Sequence, residues 1–364
     1  MRVACVVGAR PNFMKIAPIL EAMRIFPELE PILVHTGQHY DYEMSQIFFD
    51  ELEIPKPDVY LGVGSGSHAV QTAKIMMGFE ETVNQYKPDA ILVVGDVNST
   101  LACALVGAKL CIHVIHVEAG IRSFDRTMPE EINRILTDVV SDLLLTPTKD
   151  ANENLRKEGI AKEKIHLVGD VMVDTLMKYR EKASSNGILQ ELGLEKHSYA
   201  LMTLHRPSNV DVRANLTGVL DALEEIQRSI KMVLSIHPRT KARVQEFGLE
   251  SKLAGMENMV ITEPLGYIKF MGLMVHAKFV LTDSGGIQTE TTVLNIPCLT
   301  MRENTERPET IKDGTNILVG NNAQLIIEEC QKILNRKGKS GSYPSIWDGH
   351  TAKRIAMIIN SYSQ

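Results

Sequence analysis

A chain of 364 residues is too long for one ordinary hydrophobic core and suits two domains. With 44% hydrophobic residues spread through short runs, no segment approaches the roughly 20 apolar residues that cross a bilayer, so no membrane segment is expected. A formal charge of −6, with no Lys/Arg run interleaved with aromatics, excludes nucleic acid as an expected partner.

From the N-terminus, Val3–Gly8 reads as a short buried strand stopped by Ala9-Arg10-Pro11, not as a signal peptide, so secretion is not expected. Short β-branched runs followed by stretches of helical period then recur, the pattern of a parallel sheet with crossover helices. Strands are predicted at Pro31–Thr36, Ala90–Val94, Ile112–Val117, Leu143–Thr146 and Ile165–Val168. Helices are predicted over Phe13–Ile25, Tyr42–Leu52, His68–Tyr86, Thr100–Lys109, Pro129–Val140 and Asp150–Lys157. The pattern restarts with strands at Ala200–Thr203, Met232–Ile236, Met259–Thr262, Phe279–Thr282, Pro297–Leu299 and Ile317–Val319. Its helices are Arg213–Ser229, Thr240–Phe247, Tyr267–His276, Ile287–Leu294 and Ala323–Leu334. The expected fold is therefore α/β, two Rossmann-like domains with parallel sheets at 1–170 and 171–348, and a helix over 349–364 that crosses back to the first. The five cysteines, at 5, 103, 111, 298 and 330, are odd in number and lack Cys-x-x-Cys spacing, which fits reduced thiols in the cytoplasm.

In open parallel sheets, ligands bind beyond the carboxyl ends of the strands. In the first half those positions hold Arg10, Lys15, Gln38 and His39, then Asp96, then His116 and Glu118, with Glu130 opening the next helix. Singly, Arg10 also reads as a surface charge and Glu130 as a favourable charge in a helix's first turn. Together, Asp96, Glu118 and Glu130 at neighbouring strand ends form a carboxylate set in which mutual repulsion separates acid from base.

In the second half, His205 follows the first strand, and Asp283-Ser284-Gly285-Gly286 runs from a strand straight into a helix. Free backbone N–H groups there suit a phosphate, with Arg302 and Arg307 supplying charge and Glu290 able to reach a vicinal diol. The same Ser-Gly-Gly also serves as a plain tight turn. No P-loop is present, and no Gly-x-Gly-x-x-Gly follows the first strand, so neither NTP hydrolysis nor a nicotinamide cofactor is expected. Strand alternation sends His113 and His116 to opposite faces, and no metal site is expected.

Seven collinear motifs carry a resemblance to a known family: Gly8-Ala9-Arg10-Pro11 with Lys15, Gly95-Asp96, His116-Val117-Glu118-Ala119-Gly120, Pro129-Glu130-Glu131-Ile132-Asn133-Arg134, Leu204-His205-Arg206, Asp283-Ser284-Gly285-Gly286-Ile287-Gln288 and Thr305-Glu306-Arg307-Pro308-Glu309. In this order they resemble the non-hydrolysing UDP-N-acetylglucosamine 2-epimerases, isomerases of the glycosyltransferase-B fold with the active site in an interdomain cleft. The resemblance implies that Asp96, Glu118, Glu130 and His205 are catalytic. It implies that Arg10, Ser284, Gly285, Gly286 and Arg307 bind the diphosphate, Glu290 the ribose and Phe270 the uracil, with Lys15 nearby. Gln38 and His39 fall where some relatives bind an activating second UDP-sugar. It also implies elimination and re-addition of UDP, no cofactor, a homodimer in the cytoplasm and a place in polysaccharide synthesis. The opening Gly-Ala-Arg-Pro-x-Phe is shared with relatives acting on diacetamido uronic acid UDP-sugars. A hydrolysing 2-epimerase, a glycosyltransferase and a catalytically silent UDP-sugar sensor are the alternatives.

Overall fold

The computed structural model describes residues 1–38 and 42–362, with the backbone only for 42–46; of the expected site residues, His39 lies outside the described residues. The chain forms two compact units, one of Met1–Lys178 with Pro344–Gln364 and one of Tyr179–Tyr343. The sequence reading puts the boundaries at 170/171 and 348/349, whereas these units divide after Lys178 and after Tyr343. The first crossing falls inside the helix Val171–Ser184, because that helix continues unbroken past the Gly169-Asp170 turn.

In the first unit, β1 (Arg2–Val7), β2 (Glu30–His35), β3 (Val59–Tyr60), β4 (Ala90–Val94), β5 (His113–Val117), β6 (Leu143–Thr146) and β7 (Ile165–Leu167) form one sheet in the order β3-β2-β1-β4-β5-β6-β7, and every pair is parallel. The short edge strand β3 has only two residues, too few for an alternation that sequence can register. The central strands read as unbroken apolar runs because helices cover both faces. Ala90–Val94 is wholly buried, and Ala4, Val6, Ile91, Val93 and Val114 pack with Ile75, Phe79 and Val83 of the helix His68–Tyr86 in one cluster.

The C-terminal helix Thr351–Tyr362 belongs to this unit and packs on the helix Arg10–Met23. Its first turn is capped by the Asp174 carboxylate, which accepts from Thr351 N at 3.1 Å and Ala352 N at 2.7 Å. Just before it, Trp347 is fully buried and its indole N–H donates to Pro147 O at 3.1 Å.

In the second unit, β8 (Tyr199–Met202), β9 (Lys231–Ser235), β10 (Met259–Thr262), β11 (Phe279–Thr282), β12 (Cys298–Thr300) and β13 (Asn316–Leu318) pair in parallel in the order β10-β9-β8-β11-β12-β13. Met202, Leu234, Phe279, Leu281 and Leu299 meet Leu216, Leu220, Leu223, Ile326 and Ile333 from the covering helices. Each sheet reverses its strand order once, between β1 and β4 in the first and between β8 and β11 in the second. Loops leaving such neighbours run to opposite faces and open a crevice at the carboxyl ends, which is where each unit can take a ligand. Among the described residues no helix is long and apolar enough to cross a membrane.

Candidate functional site

At the first switch point, Asn12 ties the ends of β1 and β4 together. Its Oδ1 accepts from Gly8 N and Ala9 N, each at 3.1 Å, and its Nδ2 donates to Val94 O at 3.0 Å. The helix Arg10–Met23 starts immediately, with Pro11 in its first turn, so Lys15 lies one turn in and is buried. Lys15 Nζ forms a buried ion pair with Glu118 Oε2. Glu118 itself has a left-handed backbone, φ 74°. Gly95, φ 69°, lies directly beneath this pair: a Cβ there would meet Lys15 Nζ at 2.9 Å and Glu118 Oε2 at 3.4 Å. Glycine is needed at this position for space as well as for φ.

The neighbouring Asp96 is held by an arginine. Arg134 donates from Nε at 3.0 Å and from Nη2 at 2.6 Å to Asp96 Oδ2, and from Nη1 at 2.7 Å to Glu131 Oε2. Asn133 donates to Asp96 O at 2.8 Å. Beneath them His116 spans Gly95 O, 2.8 Å from Nε2, and Asp138 Oδ1, 2.6 Å from Nδ1. Burial raises the Asp138 carboxyl's pKa, but the charges and hydrogen bonds of His116 and Arg122 outweigh it and hold the group below the usual carboxylate range. The structure therefore gathers Lys15, Asp96 and Glu118 at the ends of β1, β4 and β5. Glu130 is half-buried in the first turn of the helix Pro129–Val140, and the next residue, Glu131, grips Arg134. Arg10 places its guanidinium 4.7 Å from the Phe48 ring centre. Gln38, also expected at a ligand, is buried, and its Oε1 accepts from Ser99 N at 3.0 Å and Ser99 Oγ at 2.6 Å.

At the second switch point the organising group is Asp283, fully buried at the end of β11. Its Oδ2 accepts from His205 N at 2.8 Å and Arg206 N at 2.7 Å, and its Oδ1 lies 2.8 Å from His205 Nδ1. Burial pushes the Asp283 carboxyl up, but His205 and the backbone N–H groups more than reverse this and leave it at about 2. A carboxylate on Nδ1 fixes the imidazole and leaves Nε2 for other work on a ring about one-third exposed. Ser284 precedes the helix Gly285–Val293 without capping it by its side chain. A Cβ on Gly285 would strike Glu306, whose Oε2 is 2.7 Å from Arg302 Nη2, so glycine lets the arginine-bearing loop close over the helix start. Thr305 Oγ1 donates to Gln288 Oε1 at 2.7 Å, pinning that loop, and Arg307 is buried beside it.

Further along the same helix Glu290 is buried and accepts from Tyr267 OH at 2.8 Å. Burial and then the Glu290 charge push the Tyr267 phenol well above its usual range. Phe270 is buried in the Tyr267–Val275 helix. Glu131, Arg134, Asp283 and Tyr267 received no role from sequence. The available signals were the three-residue spacing of Glu131 and Arg134 and the place of Asp283 next to Ser-Gly-Gly. Among the described residues no three of His, Cys, Asp and Glu gather to hold a metal ion.

Two doubly wound parallel units of this kind define the glycosyltransferase-B type of fold. The family model described as UDP-N-acetylglucosamine 2-epimerase matches residues 21–360. The chain is 45% identical over 364 residues to the UDP-N-acetylglucosamine 2-epimerase homolog of Methanococcus maripaludis, covering 99% of this chain and all of that one. It is 42% identical over 340 residues to the UDP-2,3-diacetamido-2,3-dideoxy-D-glucuronate 2-epimerase of Pseudomonas aeruginosa, covering 92% and 93% of the two. A crystal structure of Methanocaldococcus jannaschii UDP-GlcNAc 2-epimerase in complex with UDP-GlcNAc and UDP superposes with a TM-score of 0.93 at 42% identity, over 99% of this chain and all of that one. The chain belongs to the UDP-N-acetylglucosamine 2-epimerase family.

Proposed function

We propose that the protein inverts C2 of UDP-N-acetylglucosamine, giving UDP-N-acetylmannosamine without net hydrolysis. The observation that carries this reading is the pair of cation-held carboxylates, Glu118 with Lys15 and Asp96 with Arg134, at one switch point. The ligand class is supported by the similar structure that holds UDP-GlcNAc and UDP.

The C2–H of an acetamido sugar is not acidified by an adjacent carbonyl, so direct deprotonation and reprotonation is too slow. In the proposed route one carboxylate takes the C2 proton as the C1–O bond to UDP breaks, leaving a 2-acetamidoglucal. Protonation at the opposite face of C2 and return of UDP to C1 then complete the inversion. Asp96, Glu118 and Glu130 are the proposed proton carriers. His205, fixed through Nδ1 by Asp283, faces the leaving phosphate or sugar in this scheme. Ser284, Gly285, Gly286, Arg10 and Arg307 are proposed to hold the diphosphate, Glu290 the ribose and Phe270 the uracil. The protein is proposed to act as a cytoplasmic homodimer, with Gln38 and His39 at an activator position.

A second reading rests on the Pseudomonas relative: the substrate would be a diacetamido uronic acid UDP-sugar. Incubation of UDP-N-acetylglucosamine alone in deuterated water decides between these readings. The expected product is UDP-N-acetylmannosamine carrying deuterium at C2. Retention of the original hydrogen would argue against solvent-exchanging proton transfer. Release of UDP and free sugar would assign the hydrolysing branch, and no reaction would move the assignment to the uronic acid substrate or to a sensor.

A further inference from the structure

Among the described residues, eight other than glycine have left-handed backbones. Five of these, Glu53, Lys87, Cys111, Asn295 and Arg336, stand just past helix ends, where such a residue commonly closes the last turn, and His197 sits in the turn before β8. The other two, Glu118 and Phe124, both lie in the connection from β5 to the helix Pro129–Val140, at the ligand end of the sheet. Glu118 uses the conformation to meet Lys15. Phe124, φ 59°, is 76% exposed, so its ring gains little burial for a backbone that a bulky residue strongly disfavours.

A buried ionic bracket holds it there. Glu131, 1% exposed, accepts from Phe124 N at 2.8 Å through Oε1 and from Ser123 N and Oγ at 3.0 Å each through Oε2. The same Oε2 receives Arg134 Nη1, and Arg134 in turn holds Asp96. Asp125 tightens the far side of the loop, accepting from Thr127 N at 3.0 Å and Thr127 Oγ1 at 2.6 Å. One bracket thus fixes both the carboxylate proposed for proton transfer and an exposed aromatic in a strained conformation. Strain of this kind persists only where the surrounding structure over-determines it, as this bracket does, and it clusters at active sites and ligand clamps.

We propose that Phe124 is a specificity-determining residue that packs its ring against the sugar of the bound UDP-sugar. The inference rests on the function proposed above. An aromatic face, negative at its centre, suits the C–H-rich face of a hexopyranose, and the contact would select for the sugar without touching UDP.

The test uses Phe124→Gly, Phe124→Ala and Phe124→Tyr in the full-length protein, read by thermal unfolding, steady-state kinetics and calorimetry with UDP. Glycine adopts positive φ freely, so Phe124→Gly should melt no lower than wild type while KM for the UDP-sugar rises about tenfold, a usual scale for one lost apolar contact. UDP affinity should be unchanged in all three variants, Phe124→Ala should show the same KM rise, and Phe124→Tyr should restore KM. Unchanged KM in Phe124→Gly overturns the proposal, whether the melting temperature falls or the oligomeric state shifts. An equal loss of UDP affinity also overturns it by assigning the ring to the nucleotide. A wild-type protein that turns over neither UDP-N-acetylglucosamine nor the diacetamido uronate overturns both readings, whereas an active wild type with a kinetically silent Phe124→Gly overturns this one alone.

Discussion

The two switch points use charge in different ways. In the first unit each central carboxylate has a basic partner, Glu118 the buried Lys15 and Asp96 the buried Arg134. In the second, Asp283 accepts from the backbone N–H groups of His205 and Arg206 and faces the His205 ring, beside a helix start built from Ser284, Gly285 and Gly286. The first arrangement fixes negative charges at chosen points; the second fixes donors and an imidazole. The proposed reaction, which moves protons on a sugar while retaining a diphosphate, calls for one of each.

The largest expected effect lies in the first unit. Glu118→Gln or Asp96→Asn should lower turnover by roughly two to four orders of magnitude with UDP binding intact, the scale of losing a positioned proton carrier. Stopped or continuous turnover assays with calorimetry check this, and near wild-type rates in both would make the two residues structural. Lys15→Met should cost about 3–5 kcal/mol of stability in urea unfolding, because the Glu118 charge stays buried without its cation. The double variant Lys15→Met with Glu118→Gln should recover part of that loss.

The second unit should respond in binding. Arg307→Ala should weaken UDP by about 1.5–3 kcal/mol in calorimetry, as for loss of a charge-assisted contact. The same substitution should leave the fold of the first unit intact.

Acid separates the units by pH window. His35, buried beside Phe13, Phe49 and Tyr60 in the first unit, is pushed down to about 4 from 6.5, mainly by burial. The unfolded chain takes up that proton first, so the stability His35 contributes is lost as pH falls from 6.5 towards 4, up to about 3 kcal/mol. Asp283, depressed to about 2 from 3.8, contributes about 2 kcal/mol that is present above pH 4 and lost as pH falls towards 2. Urea unfolding followed separately in each unit, with His35→Gln and Asp283→Asn as controls, should show two acid limbs in that order. A single limb unaffected by either substitution would remove this distinction.

The order of strands and helices was open to sequence because each element is a local period of apolar residues. Elements such as Ala90–Val94 and His68–Tyr86 have the same bounds in both. The misplaced helix starts have local causes: Gly285 and Gly286 disguise the first turn of one helix, and Arg10-Pro11 that of another. Residue types at strand ends were legible for the same reason, since the end of a strand is itself a local event. The partnerships were not. Lys15 and Glu118 are 103 positions apart, and His205 and Asp283 are 78 apart. They meet only because β4 inserts beside β1, and β11 beside β8, and no short window of sequence encodes that order. Whether Phe124 is held at positive φ was likewise decided by packing, since the Glu131 carboxylate that accepts from its N–H is placed by the next helix; the distant ion pairs form where the folded backbone has already brought their ends together, so that the entropy of closing a long loop is met by the whole sheet.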